Sequence, residues 1–372
     1  MLRELAILPT LLALGCSSSV ELSAPPHLTA SSDPTVLAVI NEQVLKIAVD
    51  DERIYWLGSL VGSNGYAYDS GTLHSCEKQN CVGSLMTYGV AGSAFLGSPI
   101  GLAGGQVYWW AQGAGYAVLN ACHVSGCGHG ARTVSSQVPE FVAQPAAFSA
   151  DYAYIASPPV TGDELVMLRI PLPGNDAQPE PLFAMDASGV DPSRCPTCDI
   201  QAMAVQGDYL YWQGLGESDT ATSTIQRARI DGSGEVEILA DHLGIDHSAA
   251  LTLDASHVYW SDDVLSGSIV RCPLSGCVGA PESLVGPVRL PTTLQVDGPN
   301  LYWQQDTTAS GAVISSCAPT SCVPSEPIAR GVDGIAVLAM DDEYLYTATT
   351  AQKLDPYFDW PNPSASIRRI RK

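Results

Sequence analysis

The chain has 372 residues, 46% of them apolar, with 34 glycines, 26 prolines and 15% charged positions. Such a core suits two average domains or one large repetitive β domain, and the punctuation favours many short strands over helices. Seventeen basic against 39 acidic residues leave a net charge of −22, which excludes nucleic acid as a partner, because phosphate recognition needs a cationic field.

At the start of the chain, Arg3 precedes an apolar run from Leu5 to Leu14. That run is too short to span a bilayer, which takes about 20 residues, and residues 1–15 read as an export signal. Ala13-Leu14-Gly15-Cys16 resembles the lipobox of bacterial lipoproteins. The resemblance implies a diacylglycerol on Cys16 and membrane contact through that lipid alone. Ser17, by similarity to lipoprotein sorting rules, implies the outer membrane or cell surface of a Gram-negative-type bacterium. Residues 16–34 are rich in Ser, Pro and Ala and read as a flexible tether. Ten of eleven cysteines form local pairs, Cys76/Cys81, Cys122/Cys127, Cys195/Cys198, Cys272/Cys277 and Cys317/Cys322, leaving Cys16 odd. An even set beside one lipid acceptor fits an oxidising compartment.

From residue 35 onward an aromatic dipeptide, or a degenerate copy of it, recurs after a short polar turn. The copies are Tyr55-Trp56, Tyr108-Trp109, Tyr154-Ile155, Tyr211-Trp212, Tyr259-Trp260, Tyr302-Trp303 and Tyr346-Thr347. A period of 43 to 57 residues marks one supersecondary unit copied seven times. The fifth copy is the clearest. It divides into strand A (Ala249 to Leu253), strand B (Val258 to Ser261), strand C (Ser268 to Pro273) and strand D (near Glu282 to Val285). Strand A is small and apolar, as expected of a strand buried on both faces. Strand C recurs beside every aromatic pair, and after the seventh C the chain ends without a D. The missing strand stands at the front, in Thr35 to Ile40, where Leu37 precedes Tyr55 by the same 18 residues that separate Leu284 from Tyr302. The expected fold is all-β: residues 35–372 form one seven-bladed β-propeller of four-stranded antiparallel blades, closed by an N-terminal strand that completes the last blade.

Tyr259-Trp260-Ser261-Asp262, followed by Ile269 and Arg271, resembles the YWTD class of propeller repeats found in low-density lipoprotein receptors and in bacterial secreted proteins. That resemblance implies extracellular binding, often of protein partners, by a non-catalytic scaffold. A propeller enzyme, hydrolase or lyase, with polar groups at the axial mouth is the alternative. A passive envelope protein is the third reading. In propellers of this kind the D–A and B–C connections share one face, and the A–B and C–D turns share the other.

Four C-x4-C pairs fall at C–D hairpins and read as disulfide staples, and Cys195/Cys198 reads as a loop disulfide in a D–A connection. The same D–A face receives Asp241, His242, Asp246 and His247. They are the one dense histidine–carboxylate cluster, so His242, Asp246 and His247 are the weak metal candidates. No catalytic constellation and no cofactor is expected. The long B–C connections carry Tyr66, Tyr68, Trp110, Tyr357, Phe358 and Trp360, which are the ligand-binding candidates, since varied loops on a rigid scaffold are where binding resides. The expected partner of this monomer is an envelope protein or a glycan.

Overall fold

In the computed structural model, the described residues run from 35 to 372. Residues 41, 60–70, 91–98, 113–115, 129, 140–144, 158–163, 187–199, 216–222, 244–249, 263–266, 289–290, 292, 308–310, 323–326, 333–336 and 351–364 are left out. The chain folds into seven four-stranded antiparallel sheets. Blade 1 comprises β2 (Gln43–Val49), β3 (Arg53–Ser59), β4 (Gly71–Glu77) and β5 (Met86–Val90). Blade 2 comprises β6 (Gly101–Ala103), β7 (Gln106–Gln112), β8 (Tyr116–His123) and β9 (Arg132–Pro139). Blade 3 holds β10 (Ala146–Phe148), β11 (Tyr152–Ser157), β12 (Glu164–Pro171) and β13 (Glu180–Asp186). Blade 4 holds β14 (Ile200–Gln206), β15 (Tyr209–Leu215), β16 (Ser223–Arg229) and β17 (Glu237–Leu243). Blade 5 follows with β18 (Leu251–Leu253), β19 (His257–Asp262), β20 (Ser268–Pro273) and β21 (Glu282–Val285). Blade 6 has β22 (Thr293–Val296), β23 (Leu301–Thr307), β24 (Gly311–Cys317) and β25 (Ala329–Val332). Blade 7 joins β26 (Val337–Met340), β27 (Tyr344–Thr350) and β28 (Ala365–Arg371) to β1 (Val36–Ile40). The closing strand therefore pairs where the repeat register places it, with Ala38 opposite Ile367 and Ile40 opposite Ala365.

The first strand of each blade is innermost, and these strands meet their neighbours around the ring. One expectation for them needs correction. All three residues of β18 are half-buried rather than enclosed on both faces, because an innermost strand borders the axis instead of lying inside a sheet stack. Crowding is nonetheless real at this radius. A Cβ on Gly101 would fall 2.5 Å from the ring of Phe148 in the next blade.

Alternation along strand B explains the aromatic pair. Tyrosine faces the following blade and tryptophan the preceding one, so five of the seven interfaces receive one of each, and Thr347 leaves the Tyr302 cluster of blades 6 and 7 without an indole. Tyr55 shares a core with Trp109, Tyr154 with Trp212, Tyr211 with Trp260, Tyr259 with Trp303, and Tyr346 with Trp56. Blade 3 lacks the indole and offers Ile155, and there blade 2 contributes Trp110 to the same cluster. Trp110 is thus corrected from a loop residue to a core residue. β7 runs on to Gln112, and the Trp110 side chain is completely buried.

The tyrosine hydroxyls anchor the A–B turns. In blades 1, 5 and 7 an aspartate caps the turn, its Oδ1 accepting two backbone N–H groups and its Oδ2 accepting the tyrosine O–H. These pairs are Asp50–Tyr55 at 2.6 Å, Asp254–Tyr259 at 2.6 Å and Asp341–Tyr346 at 2.7 Å. Asp341 also receives Lys78 Nζ from blade 1 at 2.5 Å, which latches the ring across its closure. Burial opposes ionisation of Asp341, but Lys78, the Tyr346 hydroxyl and the N–H groups of Tyr344 and Glu343 outweigh it and bring the carboxyl to about 2. A depressed carboxyl stabilises the fold above its unfolded value near 3.8 and ceases to do so as pH falls through about 2. Asp341→Asn is therefore expected to cost about 2 kcal/mol in urea unfolding at pH 7. The difference should shrink below pH 4 and be nearly gone at pH 2. A gap that persists at pH 2 would assign the effect to packing rather than charge.

Every D strand is bulged at least once against its C strand, and those of blades 2 and 4 twice. A bulge twists the outer edge away from regular pairing, which keeps seven exposed edges from templating aggregation. The C–D hairpins supply the second protection. Cys76–Cys81, Cys122–Cys127, Cys272–Cys277 and Cys317–Cys322 are bonded with Cα separations of 4.6, 4.9, 5.1 and 4.9 Å. Cys195 and Cys198 lie outside the described residues, as do residues 1–34, where the leader and tether are expected. Arginines clamp neighbouring blades: Arg132 donates to Leu172 O and Gly174 O, Arg169 to Ile230 O, and Arg227 to Leu274 O.

Candidate functional site

Three places combine polar chemistry with an unusual environment. The first is the axis. Among the described inner strands a single side chain is charged, Lys46 of β2, and burial lowers its pKa.

The second lies between blades 7 and 1. Glu42 sits in the short connection from β1 to β2 and is 3% exposed. Its Oε1 accepts the Trp56 indole N–H at 2.8 Å and lies 3.5 Å from His74 Nε2. His74 Nδ1 in turn meets Thr87 Oγ1 at 3.0 Å. Gly58 makes the room, since a Cβ there would fall 2.1 Å from the Glu42 carboxyl carbon. Nothing in the repeat points to this cluster. The signal that could have found it is Gly58, standing where the fifth copy has Asp262.

The third is a groove of about 780 Å³ on the rim between blades 4 and 5. That volume lies within the range of small-ligand and peptide-anchor sites. Its wall in blade 4 is β17, where the register slips between Gln226↔Ile238 and Ile225↔Ala240. The extra residue breaks alternation, so Leu239 and Ala240 both turn inward while Ile238 and Asp241 both stay exposed. The opposite wall is blade 5, with Asp262, Ser268 and Val270 toward the loop-rich face and Gly279, Ala280 and Pro281 of the stapled hairpin at the other end. Two carboxylates, Asp241 and Asp262, line it, and no lining residue is basic. Ile238 is 61% exposed and Val278, beside the hairpin lip, fully so. The Trp260 indole N–H is buried in this interface without an acceptor.

Of the sequence candidates, Tyr66, Tyr68, Tyr357, Phe358 and Trp360 lie outside the described residues, as do Asp246 and His247. His242 belongs to β17, a strand rather than the D–A loop expected for it, because β17 extends to Leu243. Tyr116 begins β8 and is 54% exposed. Among the described residues, no three His, Cys, Asp or Glu side chains converge.

No protein-family model and no curated protein sequence matches the chain. Solved structures share its architecture. Oligogalacturonate lyase in complex with manganese overlaps 93% of this chain and 97% of its own, at 9% identity and a TM-score of 0.61. A Mycobacterium tuberculosis puromycin-hydrolyzing peptidase overlaps 89% of this chain and 52% of its own, at 14% identity and a TM-score of 0.55. A prolyl endopeptidase overlaps 85% and 47%, at 10% identity and a TM-score of 0.56. The chain spans about half the length of these peptidases. Likeness at this level of identity shows a shared propeller fold.

Proposed function

We propose that the chain is an exported propeller lipoprotein of YWTD-like type, lipid-anchored through Cys16, that acts as a non-catalytic binding scaffold at the cell envelope. The groove between blades 4 and 5 carries the reading: it has ligand size, an apolar end, an acidic end and no metal-binding or nucleophilic constellation among its lining residues. The partner is an envelope protein, with a glycan as the competing ligand class. Ser283 lines the groove on an exposed strand, so Ser283→Trp plugs it without touching the core. Wild type and S283W are expected to unfold alike, while S283W loses most retention of its partner on an envelope-protein pull-down and a glycan array. Equal retention by both proteins overturns the assignment of the groove. Mass spectrometry of the mature N-terminus tests the anchor, with an unmodified Cys16 as the adverse result.

The near-complete overlap with a lyase fold favours a second reading, a polysaccharide lyase or hydrolase acting from the axial mouth. Release of unsaturated products from pectic oligosaccharides, abolished by Lys46→Met, would favour it over the scaffold.

A further inference from the structure

Two successive interfaces, set side by side, differ at three positions. Between blades 5 and 6 the space around Tyr259 is apolar, with Ala250 and Ile269 of blade 5 meeting Leu294, Leu301 and Trp303 of blade 6. Ser261 borders it, and its hydroxyl accepts the Ala250 N–H at 3.3 Å. One blade further round, register puts Thr293 in the place of Ala250, Gln304 in that of Ser261 and Thr347 in that of Trp303. Thr293 and Gln304 are opposed in register and share the face of Tyr302, while Thr347 is opposed to Leu338, which packs with Tyr302. All three polar side chains therefore meet in the interface between blades 6 and 7. Thr293 Oγ1, Gln304 Oε1 and Thr347 Oγ1 are each buried with no hydrogen-bond partner. Among the described residues no other interface gathers more than two such atoms, as Gln213 and Trp260 do between blades 4 and 5.

Each of these atoms has lost its hydration and gained nothing in exchange, so the closed interface carries an uncompensated cost that separation of the blades relieves by letting water in. The apolar term holding it shut is also reduced, because a threonine has replaced the indole. Arg368 stands opposite Thr347, but it is held within the chain, its Nε donating to Ser366 Oγ at 3.2 Å, and none of the three atoms accepts from it. The two ends of the seam are unlike. At the A–B turn face Lys372 Nζ of blade 7 donates to Asp297 of blade 6 and lies 5.7 Å from the centre of the Tyr302 ring. Thr293 opens β22 and Gln304 lies beyond the middle of β23, so the unpaired atoms stand toward the loop-rich face. The closure between blades 7 and 1 is fastened more fully, by Lys78 on Asp341 at 2.5 Å and by Glu42 on the Trp56 indole at 2.8 Å.

We propose that the interface between blades 6 and 7 is a hinged seam built into the ring. Lys372 and Asp297 pin it at the A–B turn face, and it opens at the loop-rich face, where water satisfies Thr293, Gln304 and Thr347 and the axis becomes reachable from the side. The ring thus yields one interface away from its closure. The seam does not depend on the groove between blades 4 and 5.

Ile314 and Ile269 hold the same position in successive blades, opposed to Gln304 and Ser261, and are 1% and 0% exposed. Ile314→Cys and Ile269→Cys are therefore a matched pair for maleimide labelling of the native full chain, read site by site by peptide mass spectrometry. The thiol at 314 is expected to label at least about tenfold faster, which corresponds to an opening free energy lower by about 1.4 kcal/mol. Adding Thr347→Val to Ile314→Cys should slow that labelling about tenfold, since a methyl of the same shape removes the unpaired hydroxyl. Equal rates at 314 and 269, or faster labelling with Thr347→Val, overturn the proposal. Should either cysteine variant fail to fold, urea unfolding of Thr293→Val and Thr347→Val decides instead. Midpoints at or above that of the parent chain support unpaired hydroxyls in a strained seam. Lower midpoints for both show that the hydroxyls are satisfied, and the seam falls.

Discussion

Trp110→Ala should lower the unfolding free energy by about 3–5 kcal/mol, the range for removing a fully buried large aromatic side chain. The informative variant is milder. Trp110 occupies the position that is Leu57 in blade 1, and it shares one cluster with Ile155, which replaces the usual tryptophan of strand B. One indole volume has moved across the interface from blade 3 to blade 2. Trp110→Leu alone leaves a cavity, and Ile155→Trp alone overpacks against Trp110, costing about 1–3 kcal/mol. The double variant restores the arrangement found between blades 1 and 2, where Leu57, Tyr55 and Trp109 pack together. It is expected to be more stable than either single variant, measured as a coupling energy of at least about 1 kcal/mol in urea unfolding. Additive losses would show that the two side chains do not share one space.

Gly58→Ala is the second large effect, and its sign depends on Glu42. The new methyl would stand 2.1 Å from the Glu42 carboxyl carbon and 2.3 Å from each oxygen, so the carboxylate must leave. Expulsion strands the Trp56 N–H and takes away the carboxylate beside His74, and the expected cost is about 2–4 kcal/mol from lost hydrogen bonding and strain together. Glu42→Ala loses the hydrogen bond without the clash and should cost about 1–3 kcal/mol. Adding Gly58→Ala to Glu42→Ala should then cost little, because the methyl fills the vacated space. Thermal unfolding of the four proteins decides it. If the alanine at 58 is equally harmful with and without Glu42, the clash is not with that side chain.

Both predictions turn on features that the repeat hides. The aromatic pair, its spacing and the matched fragment at residues 35–40 made seven blades and their closure legible, because a repeated unit writes the same local pattern every time. The C-x4-C hairpins were legible for the same reason. The sequence pattern misplaces Trp110 because it starts the B–C connection of the second copy at that residue, whereas β7 continues to Gln112. Glu42 occurs once, in a connection, and its meaning comes from His74 and Gly58, which are distant in sequence and unremarkable alone. The groove arises from a bulge that sets two inward residues side by side in β17, and period-two alternation misses that by construction. The placement of His242 in a connection fails as that of Trp110 does, because β17 runs to Leu243, longer than its pattern.

The pairing of β1 with β28 has a temporal side. β1 emerges from the ribosome, or from a translocation channel, before every other described strand, and its partner β28 is the last of those strands to emerge. Until then Ala38 and Ile40, buried in the finished sheet, lack the Ala348, Ala365 and Ile367 side of their cluster, and the other blades can assemble into no more than an open arc. Vectorial delivery of this chain therefore carries a built-in waiting period, during which its first strand is a handle for whatever chaperone attends the unfinished ring.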